Sequence, residues 1–142
     1  MRHPHQPKGS GFTLLELLVV LVILGLLASL AGPQVLRQLG GSKTKTAALQ
    51  IKELGTALDL YRLEVGRHPT TGEGLEALIS APAGARGWNG PYLNKKSVPQ
   101  DPWGYDYQYR SPGQHGEFDL FSLGADNQEG GSGEAQDVVS WE

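Results

Sequence analysis

Hydrophobic positions fall into three regimes along this chain. Between Phe12 and Ala31 only Thr13, Glu16, Gly25 and Ser29 lie outside the apolar set. Twenty helical positions at about 1.5 Å each reach roughly 30 Å, the thickness of a bilayer's hydrocarbon core. The second regime is amphipathic: Ala47, Ile51, Leu54, Leu58, Tyr61 and Val65 recur at alternating spacings of four and three, the stripe of a helix that packs on a globular body. Between the two, Gly32-Pro33 and Gly40-Gly41-Ser42 remove a donor and add backbone freedom, which predicts a bent or locally unwound segment from Gly32 to Ser42. The third regime starts after Gly66. There Thr70 or Thr71 caps a short helix ending near Ser80, and Ala81 to Pro102, rich in Pro, Gly and Asn, reads as loop. Asp101-Pro102-Trp103-Gly104 makes a turn, after which Tyr105, Tyr107 and Tyr109 alternate with polar residues, as a strand does. Phe118 to Leu123 supplies a second strand after a Ser-Pro-Gly turn. The fold this predicts is α+β: a long N-terminal helix packed on a small antiparallel sheet.

Composition narrows the function. The chain has 142 residues, 12 Lys+Arg against 15 Asp+Glu, a net charge of -3 and no cysteine. It is long enough for one domain; the acidic balance lacks the basic footprint of a nucleic-acid binder, so no nucleic-acid partner is expected. Without Cys there are no disulfides and no thiolate zinc sites.

Before the apolar run, Met1 to Gly11 carries Arg2 and Lys8 and no acid, a short basic leader. Ser29-Leu30-Ala31 offers the small residues that a signal peptidase reads. Against that reading, the run exceeds the 7 to 15 residue core of a secretory signal and carries a carboxylate, Glu16. Charge does not orient the span, because Arg37, Lys43 and Lys45 follow it as closely as Arg2 and Lys8 precede it.

The junction itself is more specific. Gly11-Phe12-Thr13-Leu14-Leu15-Glu16-Leu17-Leu18-Val19-Val20 resembles the class III signal of type IV pilins and type II secretion pseudopilins. The resemblance implies cleavage between Gly11 and Phe12 on the cytoplasmic side by a prepilin peptidase, which also methylates the new Phe12 amine, and a periplasmic remainder anchored once in the bacterial inner membrane. A carboxylate among leucines costs several kcal/mol, on the order of the penalty for any intramembrane acid, unless it finds a partner. The resemblance implies one, assigning Glu16 to assembly by neutralising the terminal amine of a neighbouring subunit. A glutamate near a helix start that favours the dipole and reaches water is the plainer alternative.

Further phrases are similar to the major-pseudopilin family of type II secretion systems: Tyr61, Arg67 to Leu78, the Asp101-Pro102-Trp103-Gly104 turn, and Phe118 to Asp126. The resemblance runs, with interruptions, from Gly11 to Trp141. It implies a leader over 1–11, a transmembrane and assembly helix over 12–31, a bent continuation over 32–66 and a periplasmic globular domain over 67–142. The function it implies is that of a structural subunit polymerising in the periplasm to export folded proteins across the outer membrane. The implied partners are further copies of the chain, minor pseudopilins, and the platform and assembly ATPase of the inner membrane. Two other readings stand beside it: a type IV pilin subunit, and a non-polymerising, membrane-tethered calcium-binding module. The first often carries a C-terminal disulfide loop, which a chain without Cys cannot form.

Glu117 to Glu142 contains seven carboxylates and no Lys or Arg, so its charge is open to a cation. Oxygen ligands without sulfur suit Ca²⁺, and glycines 124, 130, 131 and 133 let the backbone curl. A solvated acidic terminus has the same composition. The resemblance implies one calcium ion held by the Asp126 and Asp137 carboxylates and the Leu123 and Ser132 carbonyls. Ala135 and Gln136 stand where many relatives have another Asp, which leaves Glu134 or the Gln136 amide as substitutes. Enzymatic motifs are missing: Gly72-x-Gly74-x-x-Ala77 has no strand before it, and Gly130 to Glu134 fails the nucleophile elbow. No catalysis is expected.

Overall fold

A computed structural model describes residues 9–142; residues 1–8 of the expected leader lie outside them. The chain forms two compact units, one up to Gln38 and the other Leu39–Glu142. In the first, helix α1 begins at Leu14 and every described residue before Leu39 is exposed except the half-buried Gly32. Leu14, Leu21, Leu26 and Leu30 each present more than half of their surface. A helix that is apolar and buries nothing within its own chain is made for lipid or for other chains, and this one is long and apolar enough to cross a membrane.

Helix α1 runs unbroken from Leu14 to Val65. The unwinding expected between Gly32 and Ser42 is therefore absent, for local reasons. Pro33 costs one donor, but its own carbonyl still accepts, from Arg37 Nε at 3.4 Å. Thr44 and Thr46 hydroxyls donate to the carbonyls of Gly40 and Ser42 at 3.3 and 2.9 Å, holding the turn where glycines would loosen it. Gly40 is moreover buried. A Cβ there would lie 2.4 Å from Cδ of the flexible Glu134 side chain, which lies over the glycine.

In the second unit the amphipathic stripe meets the core as expected. Ala47, Ile51, Leu54, Leu58 and Tyr61 are at most 4% exposed and pack with Leu78, Tyr107 and Leu120. Three antiparallel strands lie in the order β1 (Gln108–Arg110), β2 (Asp119–Ser122) and β3 (Val138–Val139). Tyr109 faces Leu120 and Phe121 faces Val139 in register. The expected tyrosine strand is shorter than its alternation, since Tyr105 is outside it and only the Gln100–Asp106 bridge extends the pairing. Asp101 anchors the preceding turn: its carboxylate accepts from the Trp103 and Tyr105 amides and from the Ser122 hydroxyl on β2.

The short helix after Gly66 is a 3-10 turn, Leu75–Leu78, capped at Gly74 without a side chain. Thr70 acts one turn earlier. Its hydroxyl accepts from the Glu73 amide while Glu73 accepts from the Thr70 amide, and Arg67 grips the same carboxylate through two nitrogens. Arg67, with help from Thr70 and against the cost of burial, holds the Glu73 carboxyl down at about 2.

Candidate assembly and cation sites

Gly9 to Thr13 precede the helix in non-helical backbone, and Phe12 is 84% exposed. Among the described residues no atom beyond its chain neighbours stands within 4 Å of where a Gly11 side chain would be, so the Gly11-Phe12 bond is not covered by them. Thr13 is the N-cap of α1. Its hydroxyl accepts from the Glu16 amide at 3.2 Å and its own amide donates to Glu16 Oε2 at 3.1 Å. This reciprocal capping box satisfies two helix-end donors. Glu16 is thus held at the first turn, one carboxylate oxygen engaged locally and the residue exposed.

The acidic segment forms the connection from β2 to β3. Its neck is closed by the Ala125 amide donating to the Glu134 carbonyl at 2.8 Å. Gly124, at φ +73, lets the strands approach there: a Cβ would meet the Glu134 and Gln136 carbonyls at 2.8 Å. A 3-10 turn, Gly133–Ala135, follows, with the Ser132 carbonyl accepting from the Ala135 amide. Asp126 is exposed and caps the outer turn through Oδ1, accepting from the Gln128 amide at 3.1 Å. Asp137 lies at the base, beside β3. Its Oδ2 accepts from the Gly130 amide at 3.1 Å, while its Oδ1 is buried with no hydrogen-bond partner among the described residues. A buried carboxylate oxygen without a donor is costly, and a cation relieves it.

The structure therefore gathers Leu123, Asp126, Ser132, Glu134, Gln136 and Asp137 into one loop but gives them unequal standing. The Glu134 side chain lies over Gly40, and Gln136 is exposed. Among the described residues no group of three or more His, Asp or Glu side chains is arranged for a metal.

One charged centre was not anticipated. Asp119, fully buried on β2, accepts from Arg110 Nε, the Gln114 and His115 amides and His115 Nδ1, all within 3.2 Å. Burial alone would push its carboxyl up, but these donors outweigh it and hold it at about 2. His115 in turn stacks flat on Trp141, ring centres 3.9 Å apart, which fixes the C-terminus against the β1–β2 turn. An Asp within an Arg-x₈-Asp pair across a predicted hairpin is the only signal the sequence offered for it.

Against known proteins, residues 34–141 match the family model "Type II secretion system (T2SS), protein G", and residues 7–32 match the prokaryotic N-terminal methylation motif. The chain is 48% identical over 136 residues to a type II secretion system core protein G of Pseudomonas aeruginosa, covering 94% of this chain and 95% of the relative. To that of Vibrio cholerae it is 47% identical over 137 residues, covering 94% and 92%. Its structure is similar to the crystal structure of the major pseudopilin from the type 2 secretion system of enterohaemorrhagic Escherichia coli, with a TM-score of 0.61, 35% identity, and coverage of 71% of this chain and 88% of that one.

Proposed function

The chain belongs to the type II secretion system protein G family and is a structural subunit of the type II secretion pseudopilus, and we propose that it works by polymerising from the bacterial inner membrane. A prepilin peptidase cuts between Gly11 and Phe12 and methylates Phe12. The platform protein and assembly ATPase then draw subunits from the bilayer into a homopolymer that also contains minor pseudopilins. Growth of this filament through the periplasm pushes folded proteins towards the outer membrane.

The observation that carries this reading is the first half of α1. Its leucines and valines from Leu14 to Leu39 are exposed within the chain, so they exchange lipid contacts for contacts with other subunits at little solvation cost. Glu16 then sets register, because its charge is worth burying only beside a cation such as a neighbour's Phe12 amine. Terminal sequencing of the membrane-extracted protein tests the reading. A methylated Phe12 is expected, and a start at Gly32 would overturn it by removing the assembly helix.

The second element of the proposal is calcium. Asp126 and Asp137 supply carboxylates and Leu123 and Ser132 supply carbonyls. The orphaned Asp137 Oδ1 supports this, as does a segment with no basic side chain. Bound there, Ca²⁺ supplies positive charge that lets the β2–β3 connection order itself against its own repulsion.

A further inference from the structure

The outward face of α1 in the second unit is exposed, with Asp59 at its edge about 20° beyond Lys52. At 100° per residue, Lys45, Leu49, Lys52, Thr56 and Leu63 fall within about 60° of one another, on the side away from the buried Ile51, Leu54 and Leu58. Leu49 is 58% and Leu63 is 81% exposed. Neither lysine has an acidic partner among the described residues, and no Asp or Glu occurs between Gly32 and Lys52. The complementary half is on the same molecule. From Ser111 to Glu142 there is no Lys or Arg. Glu117 and Asp119 have their cations in Arg62 and Arg110, whereas the exposed Glu129 forms no ion pair among the described residues. Glu129 also borders a hollow of about 480 Å³ whose wall sets the polar Arg110, His115 and Asp137 beside Phe121, Val139 and Trp141.

From these observations we infer that the Lys45–Leu49–Lys52 face of one copy docks on the β2–β3 connection of a second copy, the two lysines flanking Glu129. Two different patches that fit each other on identical chains make a heterologous contact, which repeats without closing. That is the contact a filament needs, so the inference rests on the polymer reading and adds where and by what chemistry neighbouring lobes touch.

The natural absence of cysteine makes the test direct. Full-length chain carrying both Leu49→Cys and Glu129→Cys, expressed with its secretion machinery and oxidised, is expected to give a ladder of dimers, trimers and larger species, while Leu49→Cys alone stops at dimers. Lys45→Glu with Lys52→Glu is expected to lower sheared filament yield about tenfold by placing like charges across the contact, and adding Glu129→Lys restores most of it. Normal yield from the double reversal, or no ladder in filaments that do form, overturns this contact and leaves the polymer reading standing. No filament from the wild-type chain overturns both.

Discussion

Thr13 and Glu16 bond each other twice across the first turn of α1, each side chain accepting the other's amide proton at 3.1–3.2 Å. Glu16 therefore has a structural job before any neighbour arrives, and substitution at 16 alone confounds capping with assembly. The two separate by partner. Thr13→Ala removes one bond of the box, costing about 1 kcal/mol at the helix start, and is expected to leave filament yield nearly unchanged. Glu16→Gln can still accept from Thr13 but has no charge; it is expected to insert normally and to assemble poorly. Equal losses in the two variants, measured by shearing and immunoblotting, would reduce Glu16 to a cap.

For the cation site, calcium at a hundredfold above its Kd is expected to raise stability by about 2.7 kcal/mol, read as a higher melting temperature than in chelator. Asp137→Ala and Asp126→Ala should each remove most of that gain. Glu142→Ala should not, and neither should Glu134→Ala, because the Glu134 side chain is turned to Gly40. An identical wild-type melt in chelator and millimolar Ca²⁺ would return the segment to a solvated acidic loop.

Gly124→Ala should destabilise the lobe by about 1–3 kcal/mol, the cost of a strained left-handed backbone, with a Cβ 2.8 Å from two carbonyls. Its calcium response should fall as well, since the neck it opens brings Leu123 towards Asp137. A chemical denaturation curve matching wild type would show that the neck is not fixed.

Acid should unfold the lobe through two named carboxyls. Glu73 is held near 2 against an ordinary 4.5, and Asp119 near 2 against 3.8. Both are depressed, so the unfolded chain binds more protons, and the stability they give is complete above about pH 4.5 and lost as pH falls towards 2. Glu73→Gln should lower the melting temperature at neutral pH and flatten its decline between those limits. An unchanged acid limb in that variant would remove Glu73 from the account.

Patterns with long periods were legible in the sequence: the exposed apolar run, the Ala47-to-Tyr61 core stripe and the β2 strand. What escaped was set by contacts. Gly40 reads as a helix breaker along the chain, yet it is buried against Glu134, 94 residues on. β3 is only Val138–Val139, too short to show alternation. Thr-x-x-Glu stands at both Thr13 and Thr70, and a capping box is readable from that spacing; at Glu16 the membrane context drew attention to charge instead. Asp126 and Asp137 were placed in one loop by family resemblance, while the buried Asp137 Oδ1 is visible only in three dimensions.

The stack of Trp141 on His115 also bears on how this protein is best handled. Both chain ends are engaged: the proposed cleavage frees the N-terminus at Phe12, and the last residues are pinned beside the β1–β2 turn. A tag fused straight after Glu142 would crowd that pin, and under the proposed cleavage one placed before Phe12 would leave with the leader. Fluorophores and affinity peptides belong instead in the exposed turn at Ala83-Gly84.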